Sequence, residues 1–446
     1  MEWNIPTLEE LTDKIWRCTA CGNCKAAWNY GPPPEFGEIC PAMVEFGFEG
    51  NAASKGKMAF ARGILDGSLP WTDDLLQDMY QCTVCAGCQS QCELDHKPFI
   101  PEIIEAMRRK AVEDGVGPMP NQKVIVQSMR SFNNPYQGPR RARLDWAKPF
   151  KKAGKPLKNI MKEPAPVLYY VGCTGAYNLP TRNVPQATAR IFQKLGIDFG
   201  ILGEDEICCG STSMRIGDAK AFQRVAEFNM ELFKKLHDEQ GVNTIVTSCA
   251  GCFRAIKKDY SLCKDYDKMF EGIKVIHTVD FLYEMFKEGK LKFKKEVPWK
   301  VCFHDPCHTG RHLIKFEVDE DGSKLWEGAY VQENLEDCLY DVPRDMLMAI
   351  PGIEFVEMER IRKDSYCCGG GGGCMTGFAD WAAKNAAKRI EEGLSVGADK
   401  MISICPFCHY NLNAGAALLE REQTLYDLVE LIDMALEEDV SGKTVY

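Results

Sequence analysis

No stretch of this sequence approaches the roughly 18 uninterrupted apolar residues that a membrane-crossing helix needs. The first residues, MEWNIPTLEELTDKIW, are acidic and amphipathic and lack the basic start and apolar core of a secretion signal. Positive charge is also in deficit: the net charge is −10, which argues against nucleic acid as the main partner. No G-x-G-x-x-G follows a strand pattern, so any flavin must sit on a partner protein. Any quinone coupling needs a partner as well, because the chain has no span of its own. These absences predict a cytoplasmic protein that meets a membrane only peripherally, through partners. With 45% hydrophobic and 26% charged residues, the 446-residue chain reads as globular, with room for about three domains of roughly 150 residues.

One residue type is in excess. Twenty-two cysteines occur in a chain expected where thiols stay reduced, so metal sites explain them better than disulfides. Eighteen of the 22 fall into four spaced groups, which scattered core cysteines would not do.

The first group is CTACGNC (Cys18, Cys21, Cys24) with a later Cys40–Pro41; the second is CTVCAGCQSQC (Cys82, Cys85, Cys88, Cys92). C-x2-C-x2-C wraps three thiolates around one cluster, and a distant cysteine supplies the fourth corner. Zinc instead prefers paired C-x2-C units around a single ion. In two-cluster ferredoxins the fourth cysteine of each run serves the other cluster. One [4Fe–4S] cubane is therefore assigned to Cys18, Cys21, Cys24 and Cys92, the other to Cys82, Cys85, Cys88 and Cys40. Glu93 stands after Cys92, where ferredoxins usually carry Pro. LEELTDKIW and PEIIEAMRRKAVEDG show helical apolar spacing. The whole resembles the helical ferredoxin module of succinate-dehydrogenase-type electron carriers.

Residues 116–165 are rich in Pro and Gly, and little continuous secondary structure is expected. They carry a basic run: Arg140, Arg141, Arg143, Lys148, Lys151, Lys152, Lys155, Lys158 and Lys162, against Asp145. This reads as a solvated connector, or as a docking strip for an acidic partner or a CoA-type phosphate.

The remaining two-thirds repeats one unit. VLYYVGC ends at Cys173, ICCG carries Cys208 and Cys209, and NTIVTSCAGC ends in Cys249 and Cys252. KVCFHDPC ends at Cys307, YCCG carries Cys367 and Cys368, and KMISICPFC ends in Cys405 and Cys408. Strands and helices alternate, which predicts α/β units with parallel strands and ligands at strand ends. Five thiols per unit exceed the four corners of a cubane, so the adjacent pair is read as gripping an open cluster. Gly210, Gly369 and Gly370, with the run to Gly373, are read as letting backbone N–H groups approach sulfur or a bound anion. The alternative for the glycine run is a hinge.

The double CCG pattern behind a helical two-cluster module resembles the catalytic subunit of heterodisulfide reductase, the D type, over almost the whole chain. The resemblance implies a noncubane [4Fe–4S] cluster on Cys173, Cys208, Cys209, Cys249 and Cys252, and another on Cys307, Cys367, Cys368, Cys405 and Cys408. The expected architecture is α/β with a mostly helical N-terminal module. It comprises a two-cubane α-helical ferredoxin domain (1–115), the linker (116–165) and two pseudo-repeated α/β CCG domains (166–295 and 296–446).

In FHDPCHTGRH, His304 or His308 is a candidate proton donor to a departing thiolate, and Arg311 a candidate partner for an anionic substrate. The alternative is that these groups only orient the cysteine loop. Cys263, Cys302 and Cys338 are expected to be buried free thiols, and Cys374 sits on the glycine loop. The segment from Arg311 to Asp341 (FEVDEDGSKLWEGAY within it) is absent from the first unit and is read as a lid, a subunit contact or a surface insertion. Two functions fit. One is an electron-transfer subunit between a flavoprotein and a terminal reductase or quinone module, in a complex of the heterodisulfide reductase, dehydrogenase or benzoyl-CoA reductase type. The other is a reductase of the heterodisulfide of coenzymes M and B, or of a similar disulfide, at the paired noncubane clusters.

Overall fold

The computed structural model is described here for residues 1–25, 36–46, 52–317, 331–421 and 424–436. The short apolar runs of the repeat become buried strands. β1 (Val167–Tyr169), β2 (Phe199–Gly200), β3 (Thr244–Thr247) and β4 (Lys274–His277) form a parallel sheet in the order β2-β1-β3-β4. Leu168 lies opposite Gly200 on one side and Ile245 on the other. After β5 (Lys300–Phe303) comes an antiparallel hairpin, β6 (Lys315–Glu317) and β7 (Gln332–Asn334). β5 then pairs in parallel with β8 (Glu354–Phe355) and β9 (Lys400–Ser403), and β9 with β10 (Leu425–Asp427). The order β8-β5-β9-β10 is the same topology as the first sheet, so the repeat seen in the cysteines is a repeat of fold.

Local sequence explains where the helices begin and stop. Asp218 accepts a hydrogen bond from the Ala221 amide to start Ala219–Gln240, and Gly241, left-handed, closes it on the carbonyls of Leu236 and His237. Asp427 and Glu430 form a reciprocal capping box on Leu428–Ala435. The N-terminal module is built from Ala53–Leu65, Asp73–Tyr80 and Ile100–Glu113 around Met58, Met79, Ile103 and Met107. The expected C-terminal helix is present as Ile100–Glu113, whereas LEELTDKIW is α-helical only over Thr12–Trp16.

Residues 116–165 differ from a solvated connector. Lys123–Phe132 is an α-helix, Arg140–Ala147 winds as a 3-10 helix, and Lys148–Lys152 continues it. Arg143, Trp146 and Phe150 recur at i, i+3 and i+7 and are all buried. Trp146 packs edge-on against Phe150 and Tyr169, the latter from β1. The prolines and glycines punctuate this segment without freeing it. Residues 318–330, in the middle of the extra Arg311–Asp341 segment, lie outside the described residues; on either side of them the chain forms the β6–β7 hairpin.

One buried side chain ties the parts together. Arg108 donates to the carbonyls of Met79, Tyr80 and Cys82 in the N-terminal module, of Arg215 in the first CCG unit and of Gly372 in the second. Five carbonyls taken out of water at one point need such a donor. Nearby, buried Arg215 pairs with Glu105 of Ile100–Glu113 at 3.0 Å. Among the described residues no helix is long and apolar enough to cross a membrane.

Candidate metal centres

In both units the cysteines follow the carboxyl ends of the strands, where the strand order reverses. This is the crevice in which open α/β sheets place their sites. Cys173 lies just beyond β1, and Cys249 and Cys252 just beyond β3; Cys307, Cys405 and Cys408 take the same places after β5 and β9. The paired cysteines sit on matching turns. Gly210 and Gly369 each have φ +83°, and their amides point at the sulfurs of Cys208 (3.3 Å) and Cys367 (3.4 Å). A Cβ at Gly369 would meet the Ala382 carbonyl at 2.7 Å, and one at Gly210 the Val225 side chain at 2.8 Å. Both positions therefore require glycine twice over.

All ten cysteines of the two units line one cavity of ≈ 290 Å³. Within the first unit the thiols interact in series from Cys173 through Cys208, Cys209 and Cys252 to Cys249. The second unit repeats that order from Cys307 through Cys367, Cys368 and Cys408 to Cys405. Cys249 and Cys405 then join the two series. The shared thiol protons hold Cys209 down at about 6, where Cys208 donates to it.

The N-terminal cysteines form two further groups. Cys40, Cys82, Cys85 and Cys88 line a small cavity with Lys57. Cys18, Cys21, Cys24 and Cys92 lie near enough to repel one another's charge, and Cys24 similarly faces Cys88. Burial pushes Cys40 and Cys92 up to about 12 as free thiols. Cys85 is the exception, held down at about 5 by hydrogen bonding from Cys367 and by the Arg311 cation. Amides of Lys55 and Val84 point at the sulfurs of Cys24 and Cys82 at 3.4 Å each. Four thiols closing a pocket, with amide donors aimed at sulfur, fit an iron–sulfur cluster.

The glycine run has a packing role that spacing alone did not predict. A Cβ on Gly371 would sit 2.7 Å from the Thr83 carbonyl, and one on Gly372 would strike the Cys82 carbonyl. The run lets the second CCG loop lie directly on the Cys82–Thr83 backbone; it is packed, not a free hinge. Gly370 lines the shared cavity.

His304 is buried beside Cys368 and Cys408. Its Nδ1 accepts from Arg389 Nε at 3.3 Å, which leaves the other ring nitrogen as a donor toward Cys368. His308 lines the cavity, edge-on to His312 with ring centres 4.6 Å apart, and burial holds it well below the usual histidine range. Arg311 is engaged otherwise than expected. It donates to the carbonyls of Cys85 (2.9 Å), Lys363 (3.2 Å) and Ser365, and so stitches the N-terminal module to the second unit without reaching a substrate position. Cys374 is buried, with its sulfur 3.5 Å from the Tyr80 carbonyl. Cys263 and Cys302 are also buried, and Cys338 is half-buried.

Arg143 is the site residue that the basic run concealed. Its two terminal nitrogens each lie 3.8 Å from the Cys173 sulfur, and it pairs with buried Glu206. The signal available was periodicity, because Arg143 shares its face with Trp146 and Phe150.

The sequence model of the cysteine-rich domain family, CCG, matches residues 167–257 and 301–413. The D-type subunit of the dihydromethanophenazine:CoB–CoM heterodisulfide reductase of Methanosarcina mazei is 31% identical over 436 residues, 94% of this chain and 93% of its own length. The EtfAB:quinone oxidoreductase of Syntrophomonas wolfei is 26% identical over 388 residues, 82% of this chain and 49% of that protein. A crystal structure of a hypothetical protein from Helicobacter pylori superposes with a TM-score of 0.52 at 12% identity, over 86% of this chain and 68% of the other, which marks a shared fold. The protein is an oxidoreductase of the iron–sulfur, double-CCG class. The chain belongs to the family of D-type heterodisulfide reductase subunits.

Proposed function

We propose that this chain is a four-centre electron-transfer subunit, carrying electrons between a flavoprotein partner and a terminal reductase or quinone module. Two cubanes would be held by Cys18, Cys21, Cys24 and Cys92 and by Cys40, Cys82, Cys85 and Cys88, and two noncubane clusters by the paired five-cysteine sets. When bound, such clusters supply one-electron transfer over a wide range of potentials. The observation that carries the reading is the continuity of sulfur. Cys24 faces Cys88, Cys85 meets Cys367, and Cys405 meets Cys249, so each thiol group adjoins the next. Arg108 and Arg311 clamp the N-terminal module to the second CCG unit at that junction, and the amides of Gly210, Gly369, Lys55 and Val84 stabilise thiolate charge.

A second reading has its own support. Both five-cysteine sets open on one cavity, where His308 also faces, and the relative from Methanosarcina mazei is named for heterodisulfide reduction. There the chain's residues would hold a disulfide between the two sets. Anaerobically prepared protein is expected to carry about 16 irons, four per cluster. Zinc in their place, or about eight irons, would end the four-centre reading. Copurifying flavoprotein and no disulfide turnover with reduced viologen supports relay; rapid turnover of a disulfide supports the second reading.

A further inference from the structure

The two five-cysteine sets share a topology but not a charge environment. On the first, Arg143 Nη1 and Nη2 both lie 3.8 Å from Cys173 Sγ, with the side chain 3% exposed. Glu206 fixes the guanidinium from behind and has its oxygens engaged, accepting from the amides of Val171 (3.0 Å) and Gly172 (2.8 Å) as well. Tyr177 lies against the guanidinium, 5.5 Å from its ring centre. On the second set the position matching Glu206 is Ser365, a neutral residue. Among the described residues no guanidinium donates to Cys307; Arg311 donates to three carbonyls, and its charge acts on Cys307 and Cys367 without a hydrogen bond to sulfur. The sets also differ in place. Cys367 adjoins Cys85 of the N-terminal module, while the first set is reached through Cys405 and Cys249.

We infer that Arg143 raises the potential of the first CCG centre, the distal end of the relay. This rests on the cluster reading given above. Charge-assisted donors on a cluster's thiolate stabilise its more negative, reduced state and so raise its potential. Low dielectric around a buried cation strengthens the effect. The step is one electron: the second-unit centre is oxidised by one, the first-unit centre is reduced by one, and no bond or proton changes place. Arg143 is a tuning residue; it touches a ligand sulfur and no substrate.

The test is a redox titration of the reconstituted full-length protein followed by EPR, on wild type, Arg143→Gln, Arg143→Lys and Glu206→Gln. Arg143→Gln should shift the electron's distribution away from one CCG centre at least tenfold, about 59 mV for a one-electron couple. The other centres should stay in place. Arg143→Lys should recover part of that shift, as a purely structural role would not predict. Glu206→Gln removes the counter-charge and should move the same centre the opposite way; it decides the matter should the Arg143 variants lose iron. Full iron with unchanged potentials in the Arg143 variants, or Glu206→Gln shifting in the same direction as Arg143→Gln, overturns the inference alone. Wild type with about eight irons and no CCG signal overturns the cluster reading and the inference with it.

Discussion

The two CCG units take identical strand orders and identical thiol sequences, yet part company immediately after the paired cysteines. In the first, CCG leads straight into a helix, Ser211–Arg215. In the second the matching positions are Gly370–Gly373, and a helix begins only at Cys374. The reason lies in what packs there. The second unit receives the Cys82–Thr83 backbone of the N-terminal module, and a side chain at Gly371 or Gly372 would occupy that space. The first unit builds a helix there instead, with Thr212 half-buried on it. A repeated fold thus fixes where sulfur sits, while contacts with the rest of the chain fix what surrounds it. The first unit gains Arg143 from the segment before it; the second gains a junction with the N-terminal cysteines, at which its own Arg311 sits.

The strongest way to break this comparison is to cut each unit at its paired cysteines. Cys367→Ser should remove one noncubane EPR signal and about four irons, leaving both N-terminal centres intact. Because Cys367 adjoins Cys85, the same variant should also slow reduction of the first-unit centre from the N-terminal side. Cys208→Ser should remove the first-unit signal and leave reduction of the second unchanged. Stopped-flow reduction followed by EPR distinguishes them, and equal effects from the two variants would refute the proposed order.

Smaller effects probe the junction itself. Arg108→Met removes the donor from five carbonyls drawn from all three parts of the molecule, of which Tyr80 keeps only the Cys374 thiol, and should cost about 3 kcal/mol or more. Denaturant unfolding measures this, and a loss under 1 kcal/mol would mean the five bonds are not made together. Gly371→Ala isolates the contact on Thr83 without strain from a left-handed backbone. Overpacking of this kind should cost about 1–3 kcal/mol, read as a drop in Tm. Thr212→Ala, at the matching place in the first unit, should fall within about 0.5 kcal/mol of wild type.

Much of this was legible in the residues. The spacing of ten cysteines announced a repeat, and the strand runs VLYY, NTIV, KVCF and KMIS placed the sulfurs at strand ends. What stayed hidden was long-range. Arg143 lay in a basic run whose other members are mostly exposed, and only its register with Trp146 and Phe150 set it apart. Arg311 looked like an anion receptor because a cation beside a cysteine motif often is; its carbonyl partners come from Cys85, Lys363 and Ser365, up to 226 positions away in sequence. The glycine run invited an account from local flexibility, although its cause is a backbone nearly 300 residues upstream. Local pattern reports elements and ligands; it does not report which loop another loop will touch.

Cys374 offers the gentlest test of the comparison. Its counterpart by position in the first unit is Arg215, which pairs with Glu105 and Asp259. Cys374 instead faces the Tyr80 carbonyl at 3.5 Å, and burial pushes its thiol up to about 12. The ten cysteines of the two units line one shared cavity, and Cys374 is not among its lining residues; its sulfur is aimed at a carbonyl instead. Cys374→Ser keeps a donor in that place and exchanges a soft, well-packed sulfur for a smaller oxygen. The expected cost is about 1 kcal/mol, with iron content and all EPR signals unchanged. Loss of about four irons in this variant would instead make Cys374 a ligand, and the second unit would then differ from the first in its sulfur set as well as in its surroundings.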